Sequence, residues 1–357
     1  MMAMDTEDMA GKVVRWQQTY GRNDLPWQNT RDPYRVWLSE IMLQQTQVVT
    51  VLDYFVRFLQ RFPDVAALAA APLDEVLGLW SGLGYYSRAR NLHACAIEVM
   101  ARHGGAFPRT AQLLQTLPGI GRSTAAAIAA LCFSERVAIL DGNVRRVLAR
   151  VLGFDADLSL VANERRLWDL ASQRLPIDDL GEAMPRYTQG MMDLGATVCS
   201  ARDPGCGVCP LAQACVARRI GQVERYPVRT RRARRSSESI WLLWAQTQSG
   251  SVWLGRRPTP GVWGGLHCFP LFDDYAALAA AVPARYRSAL REMAPFLHVL
   301  THKDLHLHPV QVRLPASVKP GADGMWVGAD QWPPLGLPAP VRKLLIGLSR
   351  PRVPGAA

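Results

Sequence analysis

No stretch of this sequence approaches the roughly 18 consecutive uncharged apolar residues that a membrane helix needs, although 49% of its 357 residues are hydrophobic. A spanning helix is thereby excluded, and a soluble globular chain is expected, long enough for two domains with a core each. The opening MMAMDTEDMAGK carries acidic residues and no apolar signal core. A cytoplasmic location with no membrane partner is therefore the expectation. Lysine is nearly missing: Lys12, Lys303, Lys319 and Lys343 stand against a Lys plus Arg total of 41, so the net charge of +11 rests almost wholly on arginine. Such a surface suits a phosphate polymer, and it also suits an anionic membrane. Cysteine is scarce too, with seven in the chain. Cys95, Cys132 and Cys268 sit among apolar residues and read as small buried hydrophobes. The other four fall between 199 and 215, and without a secretory signal they do not suggest a disulfide framework.

What is present up to about residue 220 reads as helices with short connections. Apolar spacing predicts helices over Met9–Arg22, Tyr34–Gln44, Val48–Phe62, Pro72–Trp80, Asn163–Leu175 and Pro185–Val198, and another running through His103. Asp32-Pro33 supplies an N-cap and a proline at the first helical position. Glu40 lies beside the apolar stripe of the helix that follows. A surface salt bridge is the plainer role for it, but a carboxyl edged into an apolar wall has its pKa raised, as a general acid requires. Tyr85-Tyr86 precede Arg88 and Arg90 at a helix start. They either pack there or stack on bases with cations behind them.

The stretch LPGIGRSTAAAIAALCFSERVAILD, Leu117 to Asp141, predicts a glycine-bracketed turn, an Ala-rich helix and a short apolar run ending on a carboxylate. Gly119 and Gly121 let the backbone come close to an anion at the positive end of that helix. A tight turn between two helices is the alternative. With Thr110–Thr116 before it, the segment near 110–133 forms a helix–hairpin–helix candidate. Asp141 opens the run Gly142-Asn143-Val144 as a simple N-cap.

Cys199, Cys206, Cys209 and Cys215 have the spacing C-x6-C-x2-C-x5-C. Four thiolates this close repel one another unless a metal neutralises them, which makes a four-thiolate metal site the expected reading. Zinc and an iron–sulfur cluster both remain open by ligand type. From Tyr226 the composition changes to an arginine-rich, aperiodic linker, expected over 226–237. Strands are then predicted at Ile240–Ala245, Val252–Gly255 and Val310–Leu314, with a helix over Ala276–Met293. This makes a separate α+β domain, 238–349, before a tail at 350–357. No Arg-Glu followed by a Glu-Glu pair occurs on a helix after Gly265, so a pyrophosphatase box is lacking.

In this order, seven blocks resemble the MutY-type adenine DNA glycosylases of the helix–hairpin–helix superfamily, to which endonuclease III also belongs. They are Leu25-Pro-Trp27, the run Trp37 to Thr46, Gly82-Leu-Gly-Tyr-Tyr86, Leu117-Pro-Gly-Ile-Gly121, Leu140-Asp-Gly-Asn-Val144, Met191-Met-Asp-Leu-Gly195 and the four cysteines. The resemblance is strong over about 12–220. It implies a mostly α glycosylase domain over 1–225 with an iron–sulfur loop at 199–215, and a looser, Nudix-like α+β domain behind it.

The resemblance also implies roles. Glu40 would protonate the adenine as it leaves, and Asp141 would stabilise the positive charge developing on the deoxyribose. Adenine is a poor anionic leaving group and the sugar becomes oxocarbenium-like, so one carboxyl must hold a proton while its partner stays ionised. The target base must first be flipped out of the duplex. Gln45 and Tyr85 match residues that fill or wedge the base stack, Asn143 one near the sugar and phosphate, and Gly119 and Gly121 the phosphate-holding turn. The cysteines match the ligands of one [4Fe–4S] cluster. At Ser123 the strand-cutting relatives carry a lysine that forms an imine; serine cannot, which implies base release that leaves an abasic site. Leu300-Thr301-His302 aligns with an 8-oxoguanine-reading loop, usually Phe-Ser-His, so the aromatic ring is missing here. The implied substrate is double-stranded DNA with adenine opposite 8-oxoguanine or guanine, met by a monomer associated with the nucleoid.

Overall fold

In a computed structural model of the protein, residues 6–230, 235–321 and 323–349 are described. The tail at 350–357 and the Arg231–Arg234 part of the expected linker lie outside them. The chain divides into two compact units, Met1–Ala69 with Ala94–Arg232, and Ala70–His93 with Ala233–Ala357. Residues 70–93 thus pack with the second unit, an arrangement that no composition shift in the sequence marks.

The first unit is helical. Its main helices are Thr6–Tyr20, Pro33–Leu43, Val48–Arg61, Ala111–Leu114, Arg122–Phe133, Gly142–Leu152, Val161–Ser172 and Leu180–Asp193. One core joins Val13 and Trp16 of the first of these to Ala126, Val147, Leu167, Met184 and Tyr187. Local chemistry fixes the boundaries. Asp32 accepts from the Tyr34 backbone N–H at 2.9 Å and Pro33 follows it, a capped start with a preset φ. Gly153, at φ +62°, ends the helix that begins at Gly142 in the left-handed conformation.

One helix starts earlier than expected. It begins at Leu180 and carries Pro185 inside it. A proline leaves the carbonyl four residues back without its helical donor. Here that carbonyl is Gly181's, and it accepts from Arg31 at 2.7 Å and from the Ser134 hydroxyl at 3.2 Å. The same helix ends in a π-helical turn, Leu194–Val198, which delivers Cys199 to the cysteine loop.

The second unit is built on a mixed sheet. Its strands are β1 Ser236–Gln246, β2 Val252–Arg256, β3 His267–Cys268, β4 Leu271–Phe272, β5 Arg291–Glu292, β6 Phe296–Val299, β7 Lys303–Arg313 and β8 Met325–Val327. The order is β3-β2-β1-β7-β5, with β4 on β1, β6 on β7 and β8 on β2. At its centre β1 and β7 run parallel from Ser236↔Lys303 to Gln246↔Arg313. β1 therefore begins inside the stretch expected as linker, because Ser236 and Ser237 have partners in β7.

Residues alternate between two cores, as a period of two requires. Ile240, Leu242 and Trp244 face one side with Val341 and Leu345 of the helix Ala339–Ser349. Leu243 and Ala245 face the other with Leu278 and Val282. The helix expected over Ala276–Met293 is a correction: it covers only Tyr275–Ala281. Val282, before Pro283, is extended at φ −94°, ψ 131°, since the proline ring disfavours the helical region for the residue it follows. A 3-10 segment, Ala284–Ala289, and β5 occupy the rest.

Candidate active site

Glu40 sits in the last turn of the helix Pro33–Leu43, whose buried side holds Trp37, Leu38, Ile41 and Met42. It opens onto a cavity of about 880 Å³ in the first unit, also lined by Arg22, Trp27, Gln45, Ser123, Asp141, Asn143, Arg146 and Gln189. Burial pushes the Glu40 pKa up to about 7; the nearby Asp141 charge adds to the rise and Arg22 opposes it. Near neutral pH this carboxyl therefore holds its proton about half the time.

Asp141 is the N-cap of Gly142–Leu152 and accepts from the Val144 N–H at 2.7 Å. Burial raises its pKa as well. Backbone donors at Val144 and Asn143 and the Arg146 and Arg145 guanidiniums pull the other way. Those four interactions favour the anion; at Glu40 the lowering influence among the described residues is Arg22. Burial prevails at Asp141, whose pKa is raised overall, and the two acids share one cavity, with more groups favouring the anion at Asp141 than at Glu40.

The neighbours are fixed in place. Ser123 lies in the first turn of Arg122–Phe133, and its hydroxyl accepts from the Leu140 N–H at 3.2 Å, next to Asp141. Gly119 makes the preceding turn at φ +76°, a left-handed conformation that favours glycine. Gly121 caps the helix, and a Cβ there would meet nothing within 4 Å. Gln45 holds a left-handed φ of 58°, rare for a side-chain-bearing residue. Asn143 accepts from Arg146 at 2.9 Å, and Arg146 also donates to Gly195 and Cys199 carbonyls at 2.7 and 2.8 Å. Gly195 in the Met-Met-Asp-Leu-Gly block permits this approach, since a Cβ on it would lie 2.6 Å from that of Asn143.

Several contributors escape sequence reading. Arg22 donates through its backbone and side chain to the fully buried Asp193 at 3.0 and 2.7 Å, and Gln189 donates to the same carboxylate at 2.9 Å. These contacts span up to 171 residues, and the only signal was Asp193 inside a recognised block.

The four cysteines form a separate feature. Cys199, Cys206, Cys209 and Cys215 line one small pocket with Val147, Arg150 and Pro204, and all four are free thiols. Among the described residues no three His, Cys, Asp or Glu side chains are grouped as a single metal ion would need. The thiols instead ring a common space. Burial, with the other three thiols adding to it, pushes Cys209 up to about 11. Burial raises Cys215 as well, so forming thiolates at these two positions calls for a strong positive centre beside them. Arg150, 1% exposed, donates to the Cys199 sulfur at 3.4 Å and to the Ser200 carbonyl at 2.6 Å. A multi-iron group with four thiolate ligands fits this donor set.

The remaining expected residues lie in the second unit. Tyr85 has a φ of 48°, and its hydroxyl is hydrogen-bonded to that of Thr301. Beneath it Arg88 is buried between the rings of Trp80 and Tyr85, at 5.2 and 5.3 Å. Leu300 to His302 make the turn between β6 and β7. The Leu300 N–H donates to the Lys303 carbonyl at 2.8 Å, and the His302 carbonyl accepts from Ser236 at 3.2 Å.

Residues 38–173 match the model for the HhH-GPD superfamily base excision DNA repair proteins, and 240–347 match the NUDIX domain. An adenine DNA glycosylase of Buchnera aphidicola subsp. Acyrthosiphon pisum is 36% identical over 338 residues, covering 93% of this chain and 95% of that protein. The chain belongs to the adenine DNA glycosylases. It is thus a DNA glycosylase, a hydrolase of N-glycosyl bonds that removes adenine in base excision repair. The human adenine DNA glycosylase is 44% identical to this glycosylase over 224 residues, 60% of the present chain and 40% of the human one. Among solved structures, a thermostable thymine-DNA glycosylase superposes with a TM-score of 0.53 at 28% identity, over 60% of this glycosylase and 97% of that chain. An endonuclease III–DNA complex, at 0.50 and 21% over 61% and 99%, shares the fold. No helix among the described residues is long and apolar enough to cross a membrane.

Proposed function

We propose that the glycosylase removes adenine opposite 8-oxoguanine or guanine in double-stranded DNA and stops at the abasic site. The observation that carries this is the pairing in one cavity of Glu40, its pKa near 7, with Asp141, an N-cap carboxylate facing arginines. Glu40 donates its proton to a ring nitrogen of the extruded adenine, so the base departs neutral. Asp141 stays anionic at the helix start and faces the cation that grows on the deoxyribose. Water then completes hydrolysis. Ser123 has no amine with which to form an imine, which ends the reaction there.

Gly119 and Gly121 hold a backbone phosphate against a helix start, Asn143 lies by the sugar phosphate, and Gln45 and Tyr85 fill the stack the base has left. In this reading residues 1–225 carry the chemistry. Residues 238–349 read 8-oxoguanine through Leu300, Thr301 and His302, with the preference tempered by the missing ring at Leu300. Cys199, Cys206, Cys209 and Cys215 would hold one [4Fe–4S] cluster, which supplies electron-transfer capacity and cross-links its loop. The enzyme works as a monomer, associated with the nucleoid.

An A:8-oxoguanine duplex incubated with the protein, then split into untreated and alkali-heated halves, tests the reading. Cleavage only after alkali is expected; cleavage without alkali would make the enzyme a lyase, and none at all would make it a binding scaffold. Running A:G and A:T beside it measures the recognition loop.

A further inference from the structure

Within the arginine-rich stretch expected as a linker, Arg235 has a defined task in the second unit. Its guanidinium donates to the Leu300 carbonyl at 3.0 Å and is ion-paired with Asp304. One side chain thus grips both sides of the turn that joins β6 to β7. That turn needs holding, because β6 pairs with β7 alone among the described strands and surface turns at a sheet edge are mobile unless tied down.

The other ties are short and local. The Leu300 N–H donates to the Lys303 carbonyl at 2.8 Å, and Ser236, next to Arg235, donates to the His302 carbonyl at 3.2 Å. The Thr301 hydroxyl is bonded to that of Tyr85. The Leu300 side chain packs against the core that contains Ile240 and Leu307, so it supplies an anchor and has no ring with which to stack on a base. The His302 ring is exposed and has no polar partner among the described residues. Discrimination then depends on how accurately Thr301 and His302 are presented, and Arg235 fixes that presentation from the β1 side. A planar guanidinium can serve a carbonyl and a carboxylate at once, which a point-like ammonium does poorly.

We propose that Arg235 is a positioning residue for 8-oxoguanine discrimination: by bridging Leu300 and Asp304 it holds the turn in its reading conformation, without itself contacting DNA. The inference rests on the reading of residues 300–302 proposed above. It separates Arg235 from the phosphate contacts that an arginine-rich stretch would otherwise suggest.

The test measures single-turnover excision and duplex affinity on the full-length enzyme, with adenine opposite 8-oxoguanine and opposite guanine. Affinity is read on duplexes whose fluorinated target nucleotide resists excision. Arg235→Met should narrow the preference for 8-oxoguanine over guanine by about three- to tenfold, the range of one net hydrogen bond. Affinity for the guanine duplex and its salt dependence should stay as in the wild type. A phosphate contact behaves differently: both duplexes weaken equally, and the slope of log affinity against log salt falls by about one. That result overturns the proposal, and so does an unchanged preference. Arg235→Lys keeps the charge and should still lose preference; full preference in it overturns the bridge, and this variant serves if Arg235→Met fails to fold. His302→Ala tells the two readings apart. If it removes the preference and Arg235→Met does not, only the role of Arg235 fails. If the wild type itself shows no preference, the reading of the turn fails and the proposal with it.

Discussion

All four thiols of the cysteine pocket come from residues 199–215, whereas the catalytic cavity draws Arg22, Glu40, Ser123, Asp141 and Gln189 from well-separated segments of the same unit. The first feature is nearly complete once one loop is made. The second exists only when several helices have packed, because Glu40 acquires its raised pKa from burial that other elements supply. Substitutions should therefore act differently on the two. In the cavity one residue should set the chemistry, with an effect on stability that depends on pH; in the loop one residue should set stability and leave the chemistry alone.

The widest expected separation comes from Glu40→Gln. Losing a general acid should slow adenine release by about 10²–10⁴-fold, read in single-turnover assays, with duplex affinity within a few-fold of wild type. A rate near wild type would take the acid role away from Glu40. Cys206→Ser should show the opposite profile. Iron content and melting temperature should fall together, the latter by roughly 5–10 °C, while whatever activity survives keeps its pH dependence. A changed pH profile would mean that the two features are not separable.

The third expectation concerns pH. Glu40 must be protonated to act, so excision should fall about tenfold per pH unit above about 7. The stability consequence has a defined sign. The folded-state pKa lies above that of the unfolded chain, so the protonated carboxyl is tolerated at low pH. Stability is then lost as pH rises from about 4.5 through about 7. Glu40→Gln should accordingly gain on the order of 2–3 kcal/mol over wild type at pH 8 and little at pH 4, measured by denaturant unfolding. An equal gain at both pH values would show that packing, not charge burial, was relieved.

The smallest effect is expected at the Tyr85–Thr301 contact. Thr301→Val removes one hydrogen bond worth about 0.5–1.5 kcal/mol. It should lower excision opposite 8-oxoguanine by about two- to tenfold relative to excision opposite guanine. An equal loss on both substrates would assign Thr301 to holding the Tyr85 loop and not to reading the opposite base.

How much of this could be read beforehand follows the same division. The cysteine loop was legible because ligand spacing is local, and the helix starts at Asp32 and Asp141 because capping is local. Glu40 was visible as an acid beside an apolar stripe, although its environment was not, since Asp141 and Arg22 reach it only through packing. Arg22 left no pattern, because its partner Asp193 lies 171 residues along the chain; Gln189 reaches the same carboxylate from within its own helix. The helix expected over Ala276–Met293 stops at Ala281: its apolar spacing continues past Pro283, but backbone sterics before the proline end it. Tyr85 and Thr301 each read as DNA-contact residues from sequence, and their contact with one another is invisible to any local rule. Residues 70–93 could not be assigned for the same reason: their helices look like their neighbours and differ only in what they pack against.

That last segment has a consequence for how the protein is made. Gly78 lies against Pro334, so closely that a Cβ on it would fall 1.9 Å from the Pro334 carbonyl oxygen, and Tyr86 donates to the Leu337 carbonyl at 2.9 Å. Leu337 lies 251 residues further along the chain than Tyr86, and both partners are translated well after the segment. At 5–20 residues per second the 70–93 segment leaves the ribosome on the order of ten seconds before they exist. During that interval Leu77, buried in the finished protein beside Gly336, lacks that late partner. A nascent chain stalled after residue 232 should therefore be a better client for a hydrophobic-segment-binding chaperone than the completed one.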